Sequence, residues 1–245
     1  MPQLIAVTPP SPAIEVQEEF GMTFTVALVG HNSVIVGADR RHLTFEVDSQ
    51  ETGMRPWQDY DDCKIYLSDN KSVVCCYAGG PQAEPLARII ATESKPNGIS
   101  EMAWKTELEN LANKISPDPD WRILNEVMCV RTDDRLAMTV IRQGQCTPYA
   151  LPIKSQKCTG DRFSLARFLP KHFWRENMTT EELEVLARLS VAAAHRENPT
   201  GIGGGCDVAT IADGDVSLAF YTDDENEMLL KQFDKRIRDV ITQLI

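Results

Sequence analysis

The feature that most constrains this chain's fold is the block-wise change in its hydrophobic period. The runs "TFTVALVG" and "SVIVGADRR" are β-branched and strand-like, and His31-Asn32 between them suits a tight turn, so a hairpin is expected from Thr23. The polar stretch "HLTFEVDSQETGMRPWQDYDD" reads as a connection to "CKIYLS" and "VVCCYAGG", which complete a first sheet. In "PQAEPLARIIATES" and "ISEMAWKTELENLANKIS" the apolar residues recur three and four apart, as on amphipathic helices. "NEVMCVRTDDRLAMTVIRQGQCTPYALP" returns to strands and is expected to open a second sheet. "DRFSLARFLPKHFW" and "TTEELEVLARLSVAAAHREN" are helical again, the latter opened by a Thr-x-x-Glu capping box at Thr179 or Thr180. A hairpin turning at Asp213-Gly214 and a charged amphipathic helix to Ile245 finish the chain. Strands, two helices, strands, two helices, a hairpin and a helix fit antiparallel sheets whose outer faces are covered by helices, an α+β arrangement.

One domain accommodates this order in 245 residues. It is expected over 23–245, and the prolines and glutamates of 1–22 read as an extended lead, a propeptide or a mis-assigned start. Asp and Glu exceed Lys and Arg by 36 to 25, a formal charge of −11, so the surface repels phosphate backbones and anionic headgroups. No nucleic-acid or membrane partner is expected. The seven cysteines are odd in number, dispersed in apolar runs and without metal-ligand spacing. They read as reduced, packed thiols in a cytoplasmic protein, with no metal and no cofactor implied.

No serine-hydrolase elbow is present, and His31, His42, His172 and His195 accompany no nucleophile motif. "GIGGG" follows a helix and precedes a strand, the reverse of a phosphate-cradling loop, and reads as a turn of close approach. A distributed set remains: Thr23 starting the first strand, Asp39 ending the second, Lys64 starting the third and Gly79-Gly80 closing the fourth. Singly these residues mean little, since Asp39 beside Arg40 and Arg41 reads equally as a surface ion pair and Lys64 as a solvated cation. Together, adjacent strands of one sheet are expected to gather the first three at one edge.

The segments "TFTVALV", "SVIVGADRR", "KIYL", "VVCCYAGG", "CTGDRFSLARFL" and "AAAHRENPTGIGGGCDVATI" stand in the order of a known family. Through them the chain resembles the proteasome-type N-terminal-nucleophile hydrolases, including proteasome β-type subunits and HslV-type bacterial peptidases. The resemblance implies a four-layer αββα sandwich of two antiparallel sheets flanked by helices. It also implies a Thr23 nucleophile whose own α-amino group moves the proton, with Asp39 and Lys64 beside the hydroxyl, Arg41 following Asp39, and the Gly79 N–H facing the oxyanion. Thr159 and Glu197 fall where the family has Ser and Asp in the network that positions the amine, and Thr200 is the hydroxyl nearest its remaining serine. His42, Tyr77 and Pro81 fall near the pocket for the residue before the cleaved bond, with Tyr77 limiting its depth.

For the amine to be free, Thr23 must head the mature chain. Met22 directly before it reads as an initiator methionine, or as the last residue of a removed lead. The activity implied is a threonine-type endopeptidase acting on peptides or unfolded proteins. It would work within a homo-oligomer or a ring of related subunits, and an ATP-dependent unfoldase is the partner the resemblance implies. Two other readings stay open: a non-catalytic structural subunit that keeps its lead, and an amidase acting on a small-molecule amide.

Overall fold

The computed structural model describes residues 23–47, 54–160 and 164–244; the lead over 1–22, Met22 included, lies outside the described residues. Strand β1 (Phe24–Val29) and strand β2 (Ser33–Asp39) form the hairpin expected around His31-Asn32, closed by a bond from Gly30 N to Ser33 O. β2 is buried along its whole length because both faces of its sheet are covered. The stretch read as a polar connection instead forms a second hairpin, β3 (Arg41–Val47) with β4 (Met54–Asp61), bulged between Thr44 and Phe45. Then come β5 (Ile65–Leu67), β6 (Val73–Gly79), α1 (Ala83–Glu93) and α2 (Glu101–Asn113). They are followed by β7 (Leu124–Arg131), β8 (Ala137–Gln143), β9 (Tyr149–Pro152), β10 (Gln156–Gly160), α3 (Ser164–Phe173) and α4 (Thr180–Glu197). The chain ends with β11 (Cys206–Ala212), β12 (Asp215–Tyr221) and α5 (Asp223–Leu244).

The fold is α+β, a four-layer αββα sandwich of two antiparallel five-stranded sheets flanked by helices. One sheet runs β10-β1-β2-β11-β12 and the other β5-β6-β7-β8-β9, with β3-β4 a separate pair. The expected division of strands between sheets is corrected. β5 and β6 do not join β1 and β2; they pair with the later strands β7 to β9, and β10 crosses back to lie against β1. Residue alternation along each strand sets the three apolar layers. In β1, Phe24, Val26 and Leu28 pack against α3, α4 and α5, whereas Ala27 points at the other sheet. In β6, Val73, Cys75 and Tyr77 face α1 and α2, and Val74 and Cys76 face the seam between the sheets.

Helix α4 starts in the expected capping box, at Thr179: its hydroxyl accepts from Glu182 N at 3.2 Å, and Glu182 Oε2 accepts from Thr179 N at 2.8 Å. The buried run Val191, Ala192, Ala193, Ala194, with Ala187 one turn earlier, lets this helix lie close on the sheet. A Cβ on Gly37 of β2 would stand 3.4 Å from Ala187 Cβ. Among the described residues no helix is long and apolar enough to cross a membrane.

Candidate active site

Three of the residues picked out in the sequence meet at one point. Thr23 directly precedes β1, Asp39 ends β2, and Lys64 directly precedes β5. Lys64 Nζ donates to Thr23 Oγ1 at 3.1 Å, to Asp39 Oδ2 at 2.9 Å and to the carbonyl oxygen of Arg41. An ammonium has three hydrogens, so these three acceptors saturate it. Asp39 in turn accepts from Phe24 N at 2.8 Å through Oδ1 and from Arg41 N at 3.2 Å through Oδ2. The two side chains are 0% and 1% exposed. The expectation that one sheet's edge gathers the three residues is corrected. Thr23 and Asp39 belong to the β1–β2 sheet and Lys64 to the edge of the other, so the cluster bridges the seam between the layers.

Burial dominates the electrostatics. Loss of solvent pulls the Lys64 ammonium below the ordinary lysine range, opposed by the carboxylates of Asp39 and, farther off, Asp61, while the Arg41 guanidinium adds to the lowering. Loss of solvent pushes the Asp39 carboxyl up, opposed by Lys64 and the two backbone donors. Each partner's charge opposes the cost that burial places on the charge of the other. A lysine so placed can polarise the Thr23 hydroxyl and favour its alkoxide-like form.

The other residues named from the sequence stand around this cluster. Gly79 is exposed at the end of β6, one strand over from β5, and its φ of +119° requires glycine: a Cβ there would lie 2.0 Å from Leu124 O. The buried Thr159 lies opposite Thr25 in the β10–β1 register, their hydroxyls 2.5 Å apart, so its bond goes to Thr25. Glu197, at the exposed end of α4, accepts from Leu165 N at 2.9 Å and steadies the start of α3. Thr200 turns its hydroxyl to Asn198 Oδ1 at 3.0 Å. His42 packs against Tyr77 with ring centres 6.2 Å apart, and burial first, then Lys64, hold its imidazole below the usual range. Tyr77 stacks on Tyr66 at 5.9 Å within the α1–α2 core, and Pro81 is exposed just before α1. The "GIGGG" turn is one of close approach, as its sequence implies. A Cβ on Gly204 would meet Asp61 Oδ1 at 2.2 Å.

Two participants escaped the sequence reading. One is the Arg41 carbonyl, a backbone group with no residue signature. The other is Asp61, which the hairpin brings opposite Arg41 and whose Oδ1 lies 3.7 Å from Arg41 Nε. Among the described residues no group of three or more His, Cys, Asp or Glu is placed to hold a metal.

Solved structures with this fold exist. Anbu from Hyphomicrobium sp. strain MC1 superposes with a TM-score of 0.64 at 13% identity, over 90% of this chain and 97% of that one. Anbu (ancestral beta-subunit) from Yersinia bercovieri gives 0.63 at 13%, over 91% and 98%. The Anbu complex from Pseudomonas aeruginosa, described as a helical assembly, gives 0.63 at 11%, over 91% and 97%. No family model matches the chain, and no curated protein matches it. The resemblance to proteasome-type N-terminal-nucleophile hydrolases therefore does not stand as a family assignment. The similar structures are Anbu proteins, and identities of 11–13% carry the likeness no further than the backbone. Over nine-tenths of its length this chain has the fold of the Anbu proteins.

Proposed function

We propose that the chain is a threonine-type peptidase that hydrolyses peptide bonds through Thr23. The observation that carries this reading is the buried Lys64 ammonium, which joins the Thr23 hydroxyl to the Asp39 carboxylate. A fully buried ion pair is costly to keep, and one that ends on a partly exposed hydroxyl is better accounted for by chemistry than by stability.

In this reading residues 1–22 are a lead that is absent from the working form, and 23–245 is the functional domain headed by Thr23. The free α-amine takes the hydroxyl proton as Oγ1 attacks the substrate carbonyl carbon, and Lys64 stabilises the negative charge gathering on Oγ1. The C–O bond forms as the carbonyl π-bond opens, and the oxyanion is held by the Gly79 N–H. Collapse expels the amine half, which leaves with the proton the α-amine had taken. Water then attacks the Thr23 ester by the same proton path and releases the acid. Thr159 and Glu197 contribute indirectly, by steadying β1 through Thr25 and the α3–α4 junction.

The helical assembly of the Anbu complex from Pseudomonas aeruginosa supports an oligomeric working form. In a self-compartmentalised oligomer, unfolded protein delivered by an ATP-dependent unfoldase would be the substrate.

The test is a chain that begins at Thr23, given fluorogenic peptides and a threonine-directed covalent inhibitor. Turnover with label on Thr23, both lost in Thr23→Ala, is the expected result. Equal turnover by Thr23→Ala refutes the reading. An active form retaining Met1 refutes the role of the amine, because an internal Thr23 nitrogen is an amide and cannot accept a proton.

A further inference from the structure

Beyond Thr23 and Asp39, Lys64 has one backbone acceptor, the Arg41 carbonyl that takes its third hydrogen. The 40–41 segment is held from several directions. Arg40 N and Arg41 N both donate to Gly203 O, at 3.0 and 2.9 Å, and Arg40 O accepts from Asp62 N at 2.9 Å. The Arg41 side chain reaches Pro199 O at 2.8 Å. Gly203 O therefore acts as a double acceptor that sets where the Arg40–Arg41 backbone runs.

The peptide group that carries Gly203 O carries Gly204 N on its other side. That N–H donates to Asp223 Oδ2 at 3.0 Å, and the next, Gly205 N, donates to Asp223 Oδ1 at 3.1 Å. One carboxylate at the first residue of α5 thus grips two consecutive amides of the glycine turn. Gly204 and Gly205 have φ of +72° and +92°, a left-handed conformation that presents both amides to one acceptor. Side chains are excluded at both positions, since a Cβ on Gly205 would lie 2.4 Å from Phe220 Cε2.

We infer that Asp223 is a positioning residue for the Thr23–Lys64 pair: it fixes the 203–204 peptide, which fixes the Arg40–Arg41 backbone, whose carbonyl holds Lys64. The inference rests on the proposed peptidase reading for its effect on turnover, and on geometry alone for its effect on Lys64. Among the described residues, the groups that act on Lys64 include Thr23 ahead of β1, Asp39 from β2, Arg41 from β3 and Asp61 from β4, and Lys64 in turn acts on His42 of β3; the carboxylate of Asp223 is bound to Gly204 N and Gly205 N. The glycine turn is the route that links Asp223 to the Arg40–Arg41 backbone. Loosening the Arg41 carbonyl weakens an interaction that the charged amine alone needs in full, so the Lys64 titration moves to lower pH.

The experiment uses the full domain beginning at Thr23, compared with Asp223→Ala, Asp223→Asn and the control Asp224→Asn. The last removes a neighbouring charge from the same helical turn without touching the glycines. The Lys64 Cε carbon-13 resonance is followed with pH, alongside kcat and KM on a fluorogenic peptide. The expected result is a Lys64 midpoint lower by about half a pH unit or more in Asp223→Ala. Alongside it, kcat falls about tenfold at nearly constant KM, Asp223→Asn shifts the same way by less, and Asp224→Asn matches the parent. An Asp223→Ala protein that melts earlier but keeps the parent's Lys64 midpoint has lost only stability, and overturns the inference. So does an equal shift in Asp224→Asn, which would assign the effect to charge at a distance. If Asp223→Ala does not fold, Asp223→Asn decides, and a midpoint equal to the parent's overturns the inference. A parent with no peptide turnover refutes the peptidase reading and leaves the Lys64 titration as the test of the relay.

Discussion

Replacing Lys64 by Met isolates the energetics of the buried pair without reference to turnover. The substitution removes the donor to Asp39 Oδ2, to Arg41 O and to Thr23 Oγ1, and leaves Asp39, 0% exposed, with two backbone donors and no cation. Breaking a buried pair on one side costs about 3–5 kcal/mol, a large share of the roughly 5–15 kcal/mol that holds a domain folded. The stranded carboxylate can escape part of that cost by taking a proton, at about 1.4 kcal/mol for each pH unit below its raised folded pKa. Burial already pushes Asp39 up, and losing Lys64 removes the principal opposing influence. A carboxyl whose folded pKa lies above its unfolded value contributes stability at low pH, and that contribution fades as pH rises through the folded value. The Lys64→Met protein is therefore expected to be least destabilised relative to the parent near pH 5 and most destabilised near pH 8. Urea unfolding at each pH measures it. The double variant Lys64→Met, Asp39→Asn, with no charge left to strand, should recover at least about 2 kcal/mol of the loss at pH 8. A loss under about 1 kcal/mol that does not vary with pH, or a double variant as unstable as the sum of its singles, would refute the account of a mutually sustained pair.

Gly79→Ala should cost about 2–4 kcal/mol in chemical denaturation, because its Cβ would meet Leu124 O at 2.0 Å with φ at +119°; a change under about 0.5 kcal/mol contradicts the close approach. Thr179→Ala removes the α4 capping box and should lower stability by about 1 kcal/mol, read as a drop in Tm, with no effect on the Lys64 titration. Tyr77→Ala opens space beside His42 and Tyr66 and, in the peptidase reading, broadens cleavage toward larger side chains. A library of peptides varied before the cleaved bond reads this, and an unchanged profile in a folded variant removes Tyr77 from the pocket.

The sequence revealed local elements better than distant partnerships. The β-branched runs around His31-Asn32 and the Thr179–Glu182 box announce themselves within a few residues, because hairpins and caps are local devices. The allocation of strands between sheets is not legible for the opposite reason. β1 pairs with β10, with Phe24 opposite Gly160, and β2 pairs with β11, with Asp39 opposite Cys206, yet nothing inside a run of alternating residues names its neighbour. The β3–β4 hairpin is hidden in the sequence because "HLTFEVDSQETGMRPWQDYDD" is polar and contains Pro56, and because the pair stands outside both large sheets. Thr23, Asp39 and Lys64 stand out in the sequence as a set, but their meeting place depends on the sheet allocation and is the seam, not one sheet's edge. The Arg41 carbonyl and the two amides held by Asp223 carry no side-chain signature, and only the folded backbone displays them.

A hydroxyl and a carboxylate on one slab, with their ammonium on the other, form a vernier: sliding one slab over the other parts Nζ from both, whereas the ladders of backbone bonds run within each slab. Gentle heating or dilute urea should therefore disengage the Lys64 contacts ahead of any loss of far-ultraviolet ellipticity. Lys64 would in this way report on the mating of the two slabs.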